Sequence, residues 1–444
     1  MTDEEGLADL LERNDLRGMQ DWMDQHPPYV IADELARMDG VTSVVPFRLL
    51  GKDRALAVFE ELEPVDQQAI LAGLRDQALR DLVEEMDPDD RARMLGEAPA
   101  KVAKRVLAGL SPRERQMTAA LLGYPEGSVG RIMTPETVAL GLNLTAEDAL
   151  RVVRDKGPDA ETIYTLPVVD VGRRLVGVVE LRELVLSRPE GTVSGLVDTE
   201  VPRVRATDPA EDAARLMRET NILDLPVVDS EGRLVGLLTI DDAVEVIEAA
   251  DTEDVARQSG ASPWQGHYMS ASVWQLARAR APWLLVLMVA AVLTVNVLQV
   301  FEATLAEVTA LALFIPLLVG TGGNAGAQAA TAAVRAIAVG EVRGSDLVRV
   351  VWRECRVGLA LGGMLALIGL VVGVFVVGGS IALIVGLSLV AICAWAATVG
   401  ATMPLLAKRL RIDPAVVSAP MVTTFVDATG LMIYFLTARA VLGL

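Results

Sequence analysis

The sequence predicts a multi-domain membrane protein: an N-terminal α-helical repeat domain, an α/β domain made of two copies of one unit, a connecting helix, and a transmembrane domain of five helices. Three observations carry that prediction. Prolines recur every 24 residues at Pro64, Pro88 and Pro112; a β-rich pattern occurs twice at an offset of 59; and the chain after Ala271 is mostly apolar stretches of bilayer length.

Charge divides the chain in the same way. Of 40 Lys/Arg and 59 Asp/Glu, eleven and seven lie from Ala271 onward, so the earlier part carries 29 against 52, a net of −23, and the apolar part +4. So acidic a surface repels nucleic acid and anionic lipid and favours cations. Cys355 and Cys393 both fall in the apolar part, so no disulfide scaffold is implied, in keeping with a reducing cytosolic side. The N-terminus lacks a basic-then-apolar signal, which leaves the first membrane helix to direct insertion.

The first domain, residues 1–128, reads as stacked helical hairpins from about Glu5 to Glu126. Glu63-Pro64-Val65-Asp66, Asp87-Pro88-Asp89-Asp90 and Ser111-Pro112-Arg113-Glu114 each place Pro at the first helical position and a carboxylate near the positive helix end. A plain helical bundle with similar starts is the alternative. Residues 129–248 follow as two copies, 129–190 and 191–248. Leu166-Pro-Val-Val-Asp170 and Arg174-Leu-Val-Gly-Val-Val179 match Leu225-Pro-Val-Val-Asp229 and Arg233-Leu-Val-Gly-Leu-Leu238, each giving two strands around a turn and then a helix. Residues 249–270 form the connecting helix. Asp241, Asp242, Glu245, Glu248, Asp251, Glu253 and Asp254 crowd its approach, and like charges at helical spacing destabilise one another unless a cation neutralises them; a solvated acidic face is the plainer account.

In residues 271–444 the spans are Ala281 to Val300, Val308 to Val339, Val357 to Val377, Ile381 to Leu406 and Ala415 to Ala438. Arg278 and Arg280, then Arg335, Arg343, Arg349, Arg353 and Arg356, then Lys408, Arg409 and Arg411 all fall on one side of the bilayer. The basic side is cytoplasmic, so the N-terminus is inside and the C-terminus outside a cell (inner or plasma) membrane. Arg439 alone goes against this rule. Trp264, Trp274 and Trp283 bracket the first span as interfacial anchors. His26 and His267 have no partner at metal spacing and read as ordinary surface or interface residues.

Asp427 is the most informative position. It is the only ionisable residue in the last apolar stretch up to Ala438, where a charge costs roughly 2.5 to 3.5 kcal/mol, so it faces a water-filled path or a bound cation rather than lipid. Mg²⁺ keeps its waters and meets a protein through one or two carboxylates. Thr423, Gly320, Gly323, Asn324 and Thr331 are the candidates for contacting such a water shell, while the glycine run also suits tight helix packing. No nucleophile–base pair, phosphate loop or ATPase motif is visible, so no enzyme is expected.

With Met133-Thr-Pro135 opening the first copy, the duplicated unit resembles a pair of CBS modules, a regulatory fold that commonly binds adenine nucleotides or metal ions. Gly236-Leu-Leu-Thr239-Ile-Asp-Asp242 resembles the ribose-binding stretch of such modules, which makes Thr239 and Asp242 a candidate ATP site; Gly177-Val-Val-Glu180-Leu-Arg-Glu183 departs from it. Helical repeats, a CBS pair, an acidic connecting helix and five spans, with Gly320-Thr-Gly-Gly323-Asn324-Ala-Gly326-Ala-Gln328 and Asp427-Ala-Thr-Gly430, resemble the MgtE family of magnesium channels over nearly the whole chain.

That resemblance implies a homodimer with a pore on its two-fold axis, Asp427 as the ion-selective site, and closure by cytosolic Mg²⁺ on Asp89, Asp242, Glu245, Glu253, Asp254 and Asp413. It pairs Asp89 with Asp242, and Asp254 with Asp413. The chain departs from the family where Ala327 and Ala419 replace asparagines, where Arg93 replaces a carboxylate, and where Asn221 replaces an acidic ligand. The expected function is therefore Mg²⁺ uptake through a cytosolically gated channel. The alternative is a cation-coupled carrier or a Mg²⁺ sensor with broader divalent selectivity.

Overall fold

The computed structural model describes residues 6–38, 40, 42–263, 266–417 and 419–443. Glu5 and Trp264 lie outside them. Two compact units emerge, one ending at Ala250 and taking in the short stretch before Ala271, the other beginning at Asp251 and containing the apolar helices.

The first unit starts with short helices. Pro64–Gly73, Pro88–Glu97 and Pro112–Leu122 each place their proline at the first helical position, where a missing N–H removes nothing the helix needs. Ser111 adds a cap by accepting from Glu114 N at 3.3 Å. Between them run Asp76–Glu85 and Ala100–Gly109, and each helix packs on the second one along, the regular stacking of hairpins. One apolar core from Leu7 to Leu110 holds them together.

Each half of the duplicated unit forms a three-stranded sheet. Leu140–Gly141 pairs parallel with Thr165–Val169, which pairs antiparallel with Leu175–Glu180; Val204–Arg205, Asp224–Val228 and Leu234–Thr239 repeat the arrangement. The short parallel strand and the helices Ala146–Lys156 and Ala210–Thr220 behind it are additions to the two strands and helix expected of each copy. The duplication extends to the turns. Asp170 Oδ1 accepts from the N–H groups of Gly172 and Arg174, and Asp229 Oδ1 from those of Glu231 and Arg233. The left-handed residue of the turn is Arg173 in one copy and Gly232 in the other. After the second sheet the helix Ile240–Gln258 runs without a break.

The second unit contains five helices long and apolar enough to cross a membrane: Val273–Val300, Thr309–Ala338, Gly344–Phe375, Gly379–Arg409 and Ala419–Leu442. Trp274 is exposed at the start of the first. Arg439, the exception to the charge rule, is held in place: Nε donates to Thr304 Oγ1 at 3.1 Å and the guanidinium lies 4.9 Å from the centre of the Phe301 ring. The second span begins with the 3₁₀ segment Thr309–Phe314, and the hydroxyl of the fully buried Tyr434 donates to Leu311 O at 2.9 Å.

Small residues set the spacing of the second, fourth and fifth spans. A Cβ on Gly400 would lie 2.2 Å from Gly326 O, an approach no side chain permits, whereas a Cβ on Gly320 would meet nothing within 4 Å. Gly400→Ala should therefore lower the melting temperature of the purified protein, by the 1–3 kcal/mol typical of overpacking, and Gly320→Ala should not. Equal melting of the two variants would refute that packing account.

Candidate functional site

The second and fifth spans bring Asp427, Thr423 and Gly323 together. A Cβ on Gly323 would stand 2.4 Å from Thr423 Cγ2 and 3.3 Å from Asp427 Oδ1, so glycine is what lets the carboxylate reach this helix. Asp427 Oδ1 is buried and has no hydrogen-bond partner among the described residues. Thr423 donates its hydroxyl to Ala419 O at 2.5 Å, which leaves its oxygen lone pairs as acceptors. Asn324, Gln328 and Thr331 are exposed on one stripe of the second span. At spacings of four and three residues they share a face with the exposed Gly320 and the half-buried Ala327. Gly322 and Gly326 point the other way, against Ile392, Val422 and Val426. The glycine run therefore divides between packing and the polar stripe.

Carboxylates gather in the first unit too. Asp89, Glu161 and Asp242 each offer an oxygen, all within 4.8 Å of one another, as do Glu60, Asp87 and Asp90. Asp89 is 5% exposed and its Oδ1 has no partner. Burial, then the charge of Asp242, holds its carboxyl well above the usual range. Burial pushes Asp242 up to about 7, although Thr239 Oγ1 donates to its Oδ2 at 2.8 Å. Glu161 and Glu60 are each pushed to about 8, again by burial first and then by neighbouring carboxylates. Burial and mutual repulsion thus both disfavour the charged forms of these carboxylates, which a proton or another cation would relieve.

The remaining predicted residues are placed as follows. Glu245 forms an ion pair with Arg93. Glu253 and Asp413, the latter expected beside Asp254, both pair with Arg257. Asn221 ends the helix Ala210–Thr220 in the left-handed conformation, φ 57°, where asparagine is favoured over most residues. Its identity thus has a backbone reason. His26 donates its Nδ1–H to Trp22 O, 2.7 Å away, and stacks on the Trp22 ring; His267 Nε2 lies 3.8 Å from Asp33 Oδ1.

Sequence reasoning missed Glu161, Glu60, Asp87 and Asp90 as members of these clusters. Asp87 and Asp90 were visible only as a helix start, a role that hides a second one. Glu161 precedes the strand Thr165–Val169 in irregular chain, where no periodicity marks it.

Family models match in three places: an MgtE intracellular N domain over residues 26–127, CBS domains over 129–189 and 193–249, and a divalent cation transporter over 315–437. The magnesium transporter MgtE of Thermus thermophilus is 41% identical over 98% of both chains, and that of Bacillus subtilis 28% identical over 97% of this chain and 95% of its own length. A crystal structure of the cytosolic domain of the Mg²⁺ channel MgtE in complex with ATP aligns with TM-score 0.51 and 37% identity, covering 54% of this chain and 98% of that one. With its domain order, its five apolar helices and a relative this similar end to end, the chain belongs to the MgtE family, whose members are transporters and not enzymes.

Proposed function

We propose that the protein takes up Mg²⁺ as a homodimeric channel through which the ion passes down its electrochemical gradient, with Asp427 at its site in the pore. The observation that carries this reading is the buried Oδ1 of Asp427, without a hydrogen-bond partner among the described residues, in a span with no other carboxylate. An ionised carboxylate there needs a counter-charge, and two of them across a two-fold axis need a divalent cation between them. Mg²⁺ enters with its waters, and those waters donate hydrogen bonds. The Thr423 oxygen, whose own proton is committed to Ala419 O, accepts them. Asn324 and Thr331, with the open backbone at Gly320, line the path, and Gly323 makes room beside them for Asp427. The polar stripe Asn324–Gln328–Thr331 is costly against lipid, and a second copy of the chain covers it. With asparagine absent at Ala327 and Ala419, selectivity rests on fewer side chains, so Asp427 and Thr423 carry more of it. The basic connections place the N-terminus in the cytoplasm and the C-terminus outside.

Cytosolic Mg²⁺ closes the channel by bridging Asp89, Glu161 and Asp242, a donor set of three carboxylates with one oxygen already unpartnered. Glu245, Glu253, Asp254 and Asp413 complete the regulatory set, with Arg93 paired to Glu245 and Arg257 to Asp413. A nucleotide such as ATP placing its ribose on Thr239 and Asp242 must bring its phosphates in as a Mg²⁺ complex, because Asp89 and Glu161 face the same carboxylate. Domain limits of 1–128, 129–248, 249–270 and 271–444 remain part of this reading.

Single-channel recording from the reconstituted protein tests the proposal. Discrete Mg²⁺ currents at a fixed voltage, absent with an impermeant cation, are expected; uptake that proceeds only with a counter-ion gradient and shows no unitary events would replace the channel by a carrier.

Proton and Mg²⁺ should also compete. Because Glu60, Glu161 and Asp242 titrate above their ordinary values in the closed arrangement, that arrangement binds extra protons between about pH 4 and 8. It therefore loses stability as pH rises through that window. With chelator present, protease protection of the full-length protein should be greater at pH 6 than at pH 8.5, and added Mg²⁺ should rescue mainly the higher pH. Equal rescue at both would separate the cation effect from these carboxylates.

A further inference from the structure

Arg93 lies on the helix Pro88–Glu97 with both acidic clusters around it. Its guanidinium donates to Asp90 Oδ1 at 3.0 Å and forms an ion pair with Glu245, which stands on the helix Ile240–Gln258 that follows the second sheet. The side chain is only 27% exposed, so its charge is not simply screened by water. That charge opposes the upward shifts of Asp90, Glu97 and Asp242, one residue from each side of the seam and one beside it. Arg91, two positions earlier, is spent elsewhere: it donates to Thr118 Oγ1 at 2.9 Å and to Val83 O at 3.0 Å and pairs with Glu114.

A divalent cation at such a seam would link carboxylates of the helical repeats to carboxylates of the second CBS module. Arg93 makes that same link with a covalently held charge. Its guanidinium stays protonated at any physiological pH and presents several donors in one plane, and its local concentration does not change with the ionic composition of the cytosol. Mg²⁺, by contrast, binds only as its free concentration allows.

We propose that Arg93 is a tethered counter-cation that keeps the helical repeats docked on the second CBS module when no divalent ion is bound. Mg²⁺ then strengthens a contact that already exists, and the cytosolic part is more closed at low Mg²⁺ than a seam of carboxylates alone would be. This rests on the reading of Asp89, Glu161 and Asp242 as a Mg²⁺ site only where it predicts the response to Mg²⁺.

The test is pulsed-EPR distance measurement on the full-length protein in nanodiscs, with Cys355 and Cys393 replaced by Ala and spin labels on Lys104→Cys and Ser194→Cys, both exposed. In chelator the otherwise unaltered protein should show mainly one docked distance. Arg93→Gln should lose at least half of that population in chelator and regain it with Mg²⁺; Arg93→Lys should fall between, since a point charge replaces the planar fork. Arg93→Asp should dock only with Mg²⁺. A docked population in Arg93→Gln equal to that of the unaltered protein in chelator would overturn the proposal, as would a protein with Arg93 intact that is undocked in chelator. If Mg²⁺ leaves every variant unchanged while the chelator result holds, the tether stands and the Mg²⁺ site at Asp89 falls. Recovery of the docked distance by Arg93→Gln in Mg²⁺ also excludes misfolding as the reason for its loss.

Discussion

Asp427→Asn should reduce Mg²⁺ uptake to background while leaving the protein folded. The substitution keeps the shape of the side chain and removes the only carboxylate in its span. It also removes a cost of roughly 2.5 to 3.5 kcal/mol for a charge at bilayer depth, so the melting temperature should hold or rise. Loss of transport together with retained stability is the informative combination, since a structural role would lower both. Asp427→Glu keeps the charge but adds a methylene, and the space beside Gly323 is limited by Thr423 Cγ2. Partial uptake with altered selectivity is expected of it. Growth of a transport-deficient host on limiting Mg²⁺ gives the measurement, and full complementation by the Asn variant would remove Asp427 from the pore.

The second large effect is expected from Asp89→Asn, Asp242→Asn and Glu245→Gln together. If Mg²⁺ bridges hold the channel shut, this variant should stay open at cytosolic Mg²⁺ concentrations that close the unaltered protein, with the same unitary current. Moving a two-state equilibrium from 1:99 to 99:1 needs about 5.5 kcal/mol of differential binding, more than one exposed ion pair provides and within reach of several buried carboxylates acting together. Asp89 is the strongest contributor on this argument, being 5% exposed with an unpartnered oxygen. Glu245 contributes twice, because its loss also frees Arg93. Patch recordings in which the variant closes at an unchanged Mg²⁺ concentration would show the acidic seam to be a solvated face.

How much of this was legible before the structure depends on the range of the interaction. The prolines at Pro64, Pro88 and Pro112 announce helix starts because the restriction acts on the residue itself. The duplicated strands show because the copies share residues, and the five spans because bilayer thickness fixes their length. The expected first span, from Ala281, was too short: the helix begins at Val273, capped by Ser272, in a stretch whose arginines broke the apolar pattern. At the candidate sites, Asp427 stood out as a lone carboxylate, but its closeness to Gly323 joins residues 104 apart in sequence. No local signal reports such a contact. The pairing of Arg257 with Asp413, across 156 residues, was hidden for the same reason, as was the reach of Arg93 to Glu245. Glu161 had neither a helix period nor a capping pattern to mark it.

The bond from Tyr434 to the Leu311 carbonyl bears on how the chain is made. The second span opens with a 3₁₀ segment, whose hydrogen-bond geometry is poorer than that of an α-helix, and inside a bilayer an unsatisfied carbonyl costs several kcal/mol. A group that meets it arrives 123 residues later, on the fifth span. Before residue 434 is synthesised this bond cannot form, so the opening of the glycine-rich span gains this partner only with the helix that carries Asp427.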